Sequence, residues 1–170
     1  MCALFNDSKP APRSKSMKAS KASKASKVKT ASTSGLVRIS VGTLEFTARF
    51  EEEAAPRTCS AFRKLLPFRS KIIHVRWSGG AGWIPLGDFK MGVAYENNTS
   101  HPAPGEILFY PGGLSQCEIL FPYEGCSFSS HVGPLSGNHF LTVVGGADQL
   151  AEFGRRVLWE GAQDIVFDRA

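Results

Sequence analysis

Two titratable side chains lie in or beside apolar stretches of the chain, where they could transfer protons. Glu118 lies within the apolar run of residues 117–121, and His139 directly precedes a second run, residues 140–144. A carboxyl that faces inward from such a run has a raised pKa and can act as a general acid or base. We therefore predict Glu118 and His139 as a catalytic acid–base pair. Two alternatives stay open: a solvated Glu118 on the outer face of a strand, and a structural His139.

Two tryptophans flank a glycine-rich segment and could form the walls of a ligand pocket. Trp77 and Trp83 enclose residues 78–82, Ser-Gly-Gly-Ala-Gly. Each indole offers a flat apolar wall and one N–H donor, and the glycines let the backbone approach a ligand. With Tyr110 as a third wall, they predict a small-molecule pocket at the mouth of a barrel. The alternative is that the tryptophans are core residues.

Arg76 could anchor a ligand carboxylate, because a guanidinium binds a carboxylate through two parallel hydrogen bonds. Side chains alternate between the two faces of a strand, so Arg76 would share one face with His74, and Trp77 would share the other with Val75. Only one of the two side chains, Arg76 or Trp77, can therefore face the pocket from a regular strand. We expect Trp77 and Val75 on the pocket side.

The elements that must position these residues are mainly β-strands. Apolar and polar residues alternate over residues 37–41 and 44–50, which is the pattern of half-buried strands. A helix is predicted from Pro56. Further short strands are predicted at residues 72–77, 83–86, 106–110, 117–123 and 140–144, and a second short helix begins within residues 149–153. Many short strands between Gly/Pro turns predict a mainly β fold, a small closed antiparallel barrel with one or two short helices, over residues 36–170.

Charge divides the chain into two parts. Residues 1–35 carry a net charge of +7 and repeat the triplet Lys-Ala-Ser, whereas residues 36–170 carry −2. A segment with high charge and few apolar residues cannot offset the entropy of folding, so residues 1–35 are predicted as a disordered basic tail. A mildly acidic folded domain predicts no specific binding of nucleic acid by that domain.

The chain shows no sign of membrane insertion, metal binding or cofactor binding. Its apolar runs are too short to cross a bilayer, and none has the form of a secretory signal. We expect an intracellular, cytoplasmic protein, with organelle or nuclear targeting by the basic tail left open. The spacing of the four cysteines does not suit a metal site; they are Cys2, Cys59, Cys117 and Cys126.

The helix start at residues 55–62, Ala-Pro-Arg-Thr-Cys-Ser-Ala-Phe, follows two strands and resembles the opening of the cyclophilin fold. Motifs similar to those of cyclophilins follow in the same order over residues 36–168. The resemblance implies a cyclophilin-like barrel. It does not extend to the prolyl isomerase site, because Arg76 is displaced by one residue from the position of the family's arginine. Peptidyl-prolyl isomerase activity is therefore not expected.

A longer set of motifs is similar to a mainly bacterial family of small cyclophilin-like proteins of unknown function. The motifs lie in residues 77–87, 96–113, 137–140 and 157–163. The longest of them begins with Glu96 and Asn97. The resemblance therefore implies that both are candidate ligand-binding residues, although the same pair resembles a structural turn in ordinary cyclophilins.

Two main hypotheses about function follow. The first is a cofactor-free small-molecule enzyme or small-ligand binder whose ligand carries a carboxylate. The second is a non-catalytic binding or assembly module, in which exposed strand edges pair between copies and form a homo-oligomer. Two further hypotheses are less favoured: a peptidyl-prolyl isomerase, and a condensing enzyme similar to the opine-forming cucumopine synthases, which resemble this chain at the level of the fold.

Overall fold

The computed structural model describes residues 35–170. The predicted basic tail lies outside the described residues, apart from Gly35. Over this range the strands are β1 (Leu36–Val41), β2 (Leu44–Phe50), β3 (Phe68–His74), β4 (Gly79–Gly87), β5 (Asn98–Thr99), β6 (Glu106–Tyr110), β7 (Cys117–Cys126), β8 (Ser129–Ser130), β9 (Gly133–Pro134), β10 (Gly137–Gly145) and β11 (Gln163–Arg169). The α-helices are α1 (Pro56–Arg63) and α2 (Leu150–Trp159), and a 3-10 turn (Ala147–Gln149) leads into α2.

Eight of the strands close into an antiparallel barrel. Their order is β2-β1-β11-β3-β4-β7-β6-β10, and β10 pairs with β2 to complete the ring. The predicted mainly β fold, a closed antiparallel barrel with two short helices, is confirmed. Each barrel strand in the described range has a paired neighbour on both sides. The homo-oligomer formed through exposed strand edges, which the assembly hypothesis supposed, stays a prediction.

The interior of the barrel is an apolar core to which all eight strands contribute. The two helices add Phe62 and Phe153 to it. Aromatic rings pack edge to face in this core, with the centroid of Phe62 at 4.9 Å from that of Phe140 and 5.3 Å from that of Phe167. These side chains fill the barrel.

A second, smaller core lies on the outer face of β4, β7 and β6. Because side chains alternate along a strand, Ile119 and Phe121 of β7 belong to the interior core, whereas Leu120 belongs to the outer one. Two residues from the segment that carries β8 and β9, Phe128 and Leu135, pack onto this face. The barrel wall is thus buried on both sides here, and its outer side can hold a pocket.

Two element boundaries differ from those predicted. β3 ends at His74, so residues 75–77 form a loop and not the end of a strand. α2 continues to Trp159, beyond the predicted helix start, and buries Leu150, Phe153 and Val157 on one face. Gly154 lies between them and has a low helix propensity, which hid the second half of the helix in the sequence. Neither α-helix of the described range is long and apolar enough to cross a bilayer.

Replacement of Gly154 by alanine is predicted to destabilise the protein. α2 packs so closely on the barrel that a Cβ at this position would overlap the ring of Tyr123. Overpacking costs about 1–3 kcal/mol, which exceeds the roughly 1 kcal/mol that alanine gains over glycine in a helix. Urea unfolding of Gly154→Ala should therefore show a lower free energy of unfolding. Leu158→Ala, at a half-exposed position of α2, is the control and should change it little. An unchanged midpoint for Gly154→Ala would contradict the close packing.

Candidate functional site

A cavity of about 460 Å³ lies on the outer face of the barrel, beside the second core. Three segments surround it: residues 75–77 after β3, residues 114–116 between β6 and β7, and residues 129–131 around β8. The prediction placed the pocket at the barrel mouth. The structure places it on the outer wall, because apolar side chains fill the barrel interior.

Glu118 provides the buried carboxyl of this cavity. In β7 its neighbours Cys117 and Ile119 face the interior core, so the Glu118 side chain lies on the outer face, covered and only 5% exposed. The indole N–H of Trp83 donates a hydrogen bond to Glu118 Oε2. Burial raises the pKa of Glu118 to about 7, although the Trp83 hydrogen bond acts to lower it. At neutral pH this carboxyl therefore exists in both protonation states.

The register of the sheet explains the contact between Trp83 and Glu118. Trp83 of β4 is paired with Leu120 of β7, which is two residues from Glu118 on the same face. Diagonal neighbours of this kind are about 7–8 Å apart, a distance that an indole can span. Trp83 thus lies between the second core and the cavity, and it contributes to both.

Arg76 and Trp77 both line the cavity, contrary to the prediction that only one of them could. The alternation of side chains does not apply to them, because β3 ends at His74 and the chain bends there. Trp77 is 58% exposed and presents its indole to solvent and to the cavity. Arg76 forms no ion pair with the described part of the chain, so its guanidinium is available to an anion.

Ser78 holds the β8 segment against the loop after β3. Its hydroxyl donates to the carbonyl of Ser129 (3.1 Å) and accepts from the N–H of Ser129 (3.0 Å). Its carbonyl accepts from the N–H of Ser127 (2.8 Å). These hydrogen bonds bring Ser130 and His131 to the edge of the cavity.

His131 is the imidazole of this cavity, and the sequence analysis did not identify it. It lines the cavity from the turn between β8 and β9. The one feature of the sequence that could have indicated His131 is the Ser-Ser-His segment directly after Phe128, a residue of the second core. No apolar periodicity connects this loop to the strand that carries Glu118, so their proximity could not be predicted from the sequence.

His139 does not line the cavity, so it does not form the predicted acid–base pair with Glu118. Its Nε2 lies 2.9 Å from Thr142 Oγ1, and the Thr142 hydroxyl donates to Glu51 Oε1 at 2.6 Å. Because the hydroxyl proton is used for Glu51, Thr142 accepts the Nε2–H of His139. This arrangement is that of a structural histidine, the alternative that the sequence left open.

Glu96 and Asn97 also lie away from the cavity. Glu96 accepts the backbone N–H of Arg57 (3.1 Å) and of Thr58 (2.8 Å), which are unpaired donors of the first turn of α1. Asn97 Nδ2 donates to the carbonyl of His139 at 3.4 Å. Burial would raise the pKa of Glu96, but hydrogen bonds from Thr58 and Arg57 outweigh it and lower the pKa to about 2. Glu96 therefore holds the start of α1, and Asn97 is bonded to β10.

Asn138 completes the hydrogen-bond network at α1. Its side chain is fully buried, its Oδ1 accepts the N–H of Glu96 (3.0 Å), and its Nδ2 donates to Thr58 Oγ1 (2.9 Å). The Thr58 hydroxyl in turn donates to Glu96 Oε2 at 2.7 Å. Strand β10 and the segment before β5 are thus tied to the start of α1.

Tyr110 lines a neighbouring cavity and not the first one. Its hydroxyl oxygen accepts the N–H of Leu114 (3.1 Å) and of Ser115 (3.3 Å). Both of these residues line the first cavity. Tyr110 therefore positions the loop between β6 and β7 at the edge of that cavity.

The cavity combines one carboxyl, one guanidinium, one imidazole and two indoles. In the part of the chain that the structure describes, no three His, Cys, Asp or Glu side chains form a group that could hold a metal ion. The arrangement can bind an anionic, planar molecule and can transfer a proton through Glu118.

Comparisons with known proteins give a family and a fold. A family model described as "Protein of unknown function (DUF3830)" matches residues 37–168. No curated protein matches the chain. The structure of McbB in complex with tryptophan is similar, with a TM-score of 0.59 and 21% identity over 78% of this chain, which covers 44% of the McbB chain. The hypothetical protein AF2241 from Archaeoglobus fulgidus is similar with a TM-score of 0.52 and 18% identity over 84% of this chain and 100% of its own. At these identities both likenesses show the fold alone.

Glu96→Gln is predicted to destabilise the protein at pH 7 and to do so less at pH 3. The ionised carboxylate accepts hydrogen bonds from the N–H groups at the start of α1. Loss of this carboxylate should lower the free energy of unfolding by about 2 kcal/mol at neutral pH. The pKa of Glu96 is depressed in the folded protein, so this stabilisation is present above pH 4.5 and is lost as the pH falls towards 2. Urea unfolding of the wild type and of Glu96→Gln at pH 7 and pH 3 measures this contribution to the free energy of unfolding. Asp88→Asn, at an exposed position, is the control. A loss of unfolding free energy in Glu96→Gln that is larger at pH 3 than at pH 7 would contradict the role of Glu96 as the cap of α1.

Glu118→Gln is predicted to stabilise the protein at alkaline pH. The unfolded carboxyl ionises near pH 4.5, whereas the folded one keeps its proton until about pH 7, so the wild type loses stability as the pH rises between these values. Glutamine still accepts from Trp83 and does not ionise. The free energy of unfolding of the variant should exceed that of the wild type by about 2–3 kcal/mol at pH 8.5 and by about 1 kcal/mol or less at pH 5. Urea unfolding tests this, with the exposed Glu53→Gln as control. A gain that is the same at both pH values would refute it.

Proposed function

The chain belongs to the DUF3830 family, whose function is unknown, and we propose that it is a cofactor-free acid–base enzyme acting on a small carboxylate-bearing molecule. The observation that carries the proposal is Glu118, a buried carboxyl with a pKa of about 7 that faces a cavity on the outer wall of the barrel. A group whose pKa lies near the ambient pH can both accept and return a proton efficiently.

The ligand is held by groups that the cavity already presents. Arg76 binds its carboxylate, because this guanidinium lies at the cavity without an ion-pair partner in the described range. Trp77 and Trp83 bind a planar apolar portion. A volume of about 460 Å³ suits a molecule of metabolite size.

The proposed reaction is a proton transfer at an atom near the ligand's carboxylate. Trp83 occupies Oε2 of Glu118, which leaves Oε1 to receive the proton from the ligand. The proton then returns from Glu118 to another atom of the ligand, so that no oxidant or further reactant is needed. His131 lies at the same cavity and can donate a hydrogen bond to the ligand.

Two further observations agree with this choice of ligand and fold. McbB, whose fold is similar, was solved in complex with tryptophan, an amino acid that carries both a carboxylate and an aromatic ring. The ordered motifs of the sequence support a cyclophilin-like barrel as the finer description of the fold. Arg76 lies in the loop after β3 and not within the strand, so prolyl isomerase activity remains unexpected.

A non-catalytic binding module is the second candidate function. It is favoured by the exposure of apolar side chains at the cavity, 58% for Trp77 and 75% for Leu114. A partner or a second copy of the chain could cover such a surface. This candidate predicts binding without proton transfer.

A screen of small aromatic and aliphatic carboxylates tests the proposal in two steps. Thermal shift identifies binders, and proton exchange between each binder and D₂O is then followed by NMR. We expect a binder whose exchange is accelerated by the wild type, at least 100-fold slower with Glu118→Gln and unchanged with His139→Ala, which lies outside the cavity. Arg76→Ala should weaken binding at least tenfold. Binding without proton exchange would favour the binding module. Binding that is unaffected by Arg76→Ala would show that this cavity is not the binding site.

A further inference from the structure

A second cavity of about 450 Å³ lies on the same outer face. Tyr95, Tyr110 and Ser136 are among its lining residues. Within the described residues 35–170, no residue that lines this second cavity carries a charge. The first cavity, in contrast, has three ionisable side chains. The two cavities therefore offer different chemistry at comparable size.

Three structural links join the two cavities. Leu114 lines both of them. The loop between β6 and β7 and the segment containing β8 and β9 each contribute residues to both. Tyr110 is paired directly with Glu118 across β6 and β7, and the Cβ atoms of such a pair are about 4.5–5.5 Å apart. The wall of the second cavity thus lies one strand away from the carboxyl of the first.

Two phenol groups give the second cavity a hydrogen-bond donor. The Tyr110 oxygen already accepts two backbone N–H groups, from Leu114 and Ser115. The rings of Tyr95 and Tyr110 are neighbours, with centroids 6.4 Å apart and planes at 52°. Because the Tyr110 oxygen already accepts two N–H groups, its own O–H is left to donate, and it can donate to a ligand. The half-exposed Tyr95 ring also offers a face on which an aromatic or amide plane can stack.

We propose that the two cavities form one groove for an elongated monocarboxylate. Its carboxylate binds Arg76 and its reactive atoms lie at Glu118. An uncharged arm with a hydrogen-bond acceptor, such as an aryl amide, crosses Leu114 to reach Tyr95 and Tyr110. This inference rests on the proposed function and adds the length and polarity of the ligand. Leu114 is 75% exposed in the protein, and the middle of such a ligand would cover it.

The polarity of the groove sets the direction of the ligand. In the first cavity the guanidinium of Arg76 favours the anionic end of the ligand, whereas no residue of the described range 35–170 that lines the second cavity is cationic. An uncharged arm loses little hydration there and finds a donor and an aromatic face. Binding of the arm, remote from Glu118, would hold the reactive atoms in place.

Matched pairs of probes test the groove. Each short probe is a substituted phenylacetate, and each long probe is the same acid extended by a benzoylamino group. Affinities are measured by isothermal titration with four forms of the full chain: the wild type, Arg76→Ala, Ser136→Trp, which fills the second cavity, and Tyr95→Ala, which removes one wall. We expect long probes to bind the wild type at least tenfold tighter than short ones. Ser136→Trp should abolish this gain and Tyr95→Ala should reduce it several-fold, while both leave the affinity for short probes unchanged.

The outcomes separate this inference from the proposed function. If short probes bind and depend on Arg76, but long probes bind no tighter, the single groove is overturned and the proposed function stands. The groove is likewise overturned if the gain survives in both variants. If short probes bind without dependence on Arg76, or neither probe type binds the wild type, the proposed ligand chemistry and the groove fail together. Should Ser136→Trp not fold, Tyr95→Ala decides between the outcomes.

Discussion

The burial of β7 on both of its faces is the constraint on which the candidate site depends. Cys117, Ile119 and Phe121 face the interior of the barrel, while Glu118 and Leu120 face the second core. Glu118 cannot turn towards water by a rotation of the strand without turning its neighbours out of the barrel. The carboxyl is therefore held in a poorly solvated position by the packing of the fold itself, and its raised pKa follows from that position.

The barrel could be predicted from the sequence because its strands show period-two alternation and its turns contain glycine and proline. The burial of Glu118 was indicated by the apolar run around it. The face on which it lies was not, since apolar residues occupy both faces of such a strand and do not mark which one is the outer face. For the same reason the sequence suggested a pocket at the barrel mouth, and the outer wall became evident only from the second core.

The remaining differences arise where contacts are distant along the chain or outside regular elements. Arg76 and Trp77 lie in a loop that follows β3, so the rule for strands does not describe them. His131 is held at the cavity because Ser129, two residues before it, is hydrogen-bonded to Ser78, about fifty residues earlier in the chain, and no local pattern encodes that contact. Glu96 has a motif position that suggested ligand binding, but its partners are backbone N–H groups of α1.

The cap of α1 is supplied by residues that are distant along the chain. Its own N-cap residue, Ala55, provides no side-chain acceptor, and the carboxylate that does so lies 38 residues beyond Thr58. The cap also requires Asn138 from β10. A loop of this length must close before the first turn of α1 is satisfied, and closure has an entropic cost that local helices avoid. The cap of α1 is thus complete only when the barrel has closed, and the stability of the start of α1 depends on the barrel.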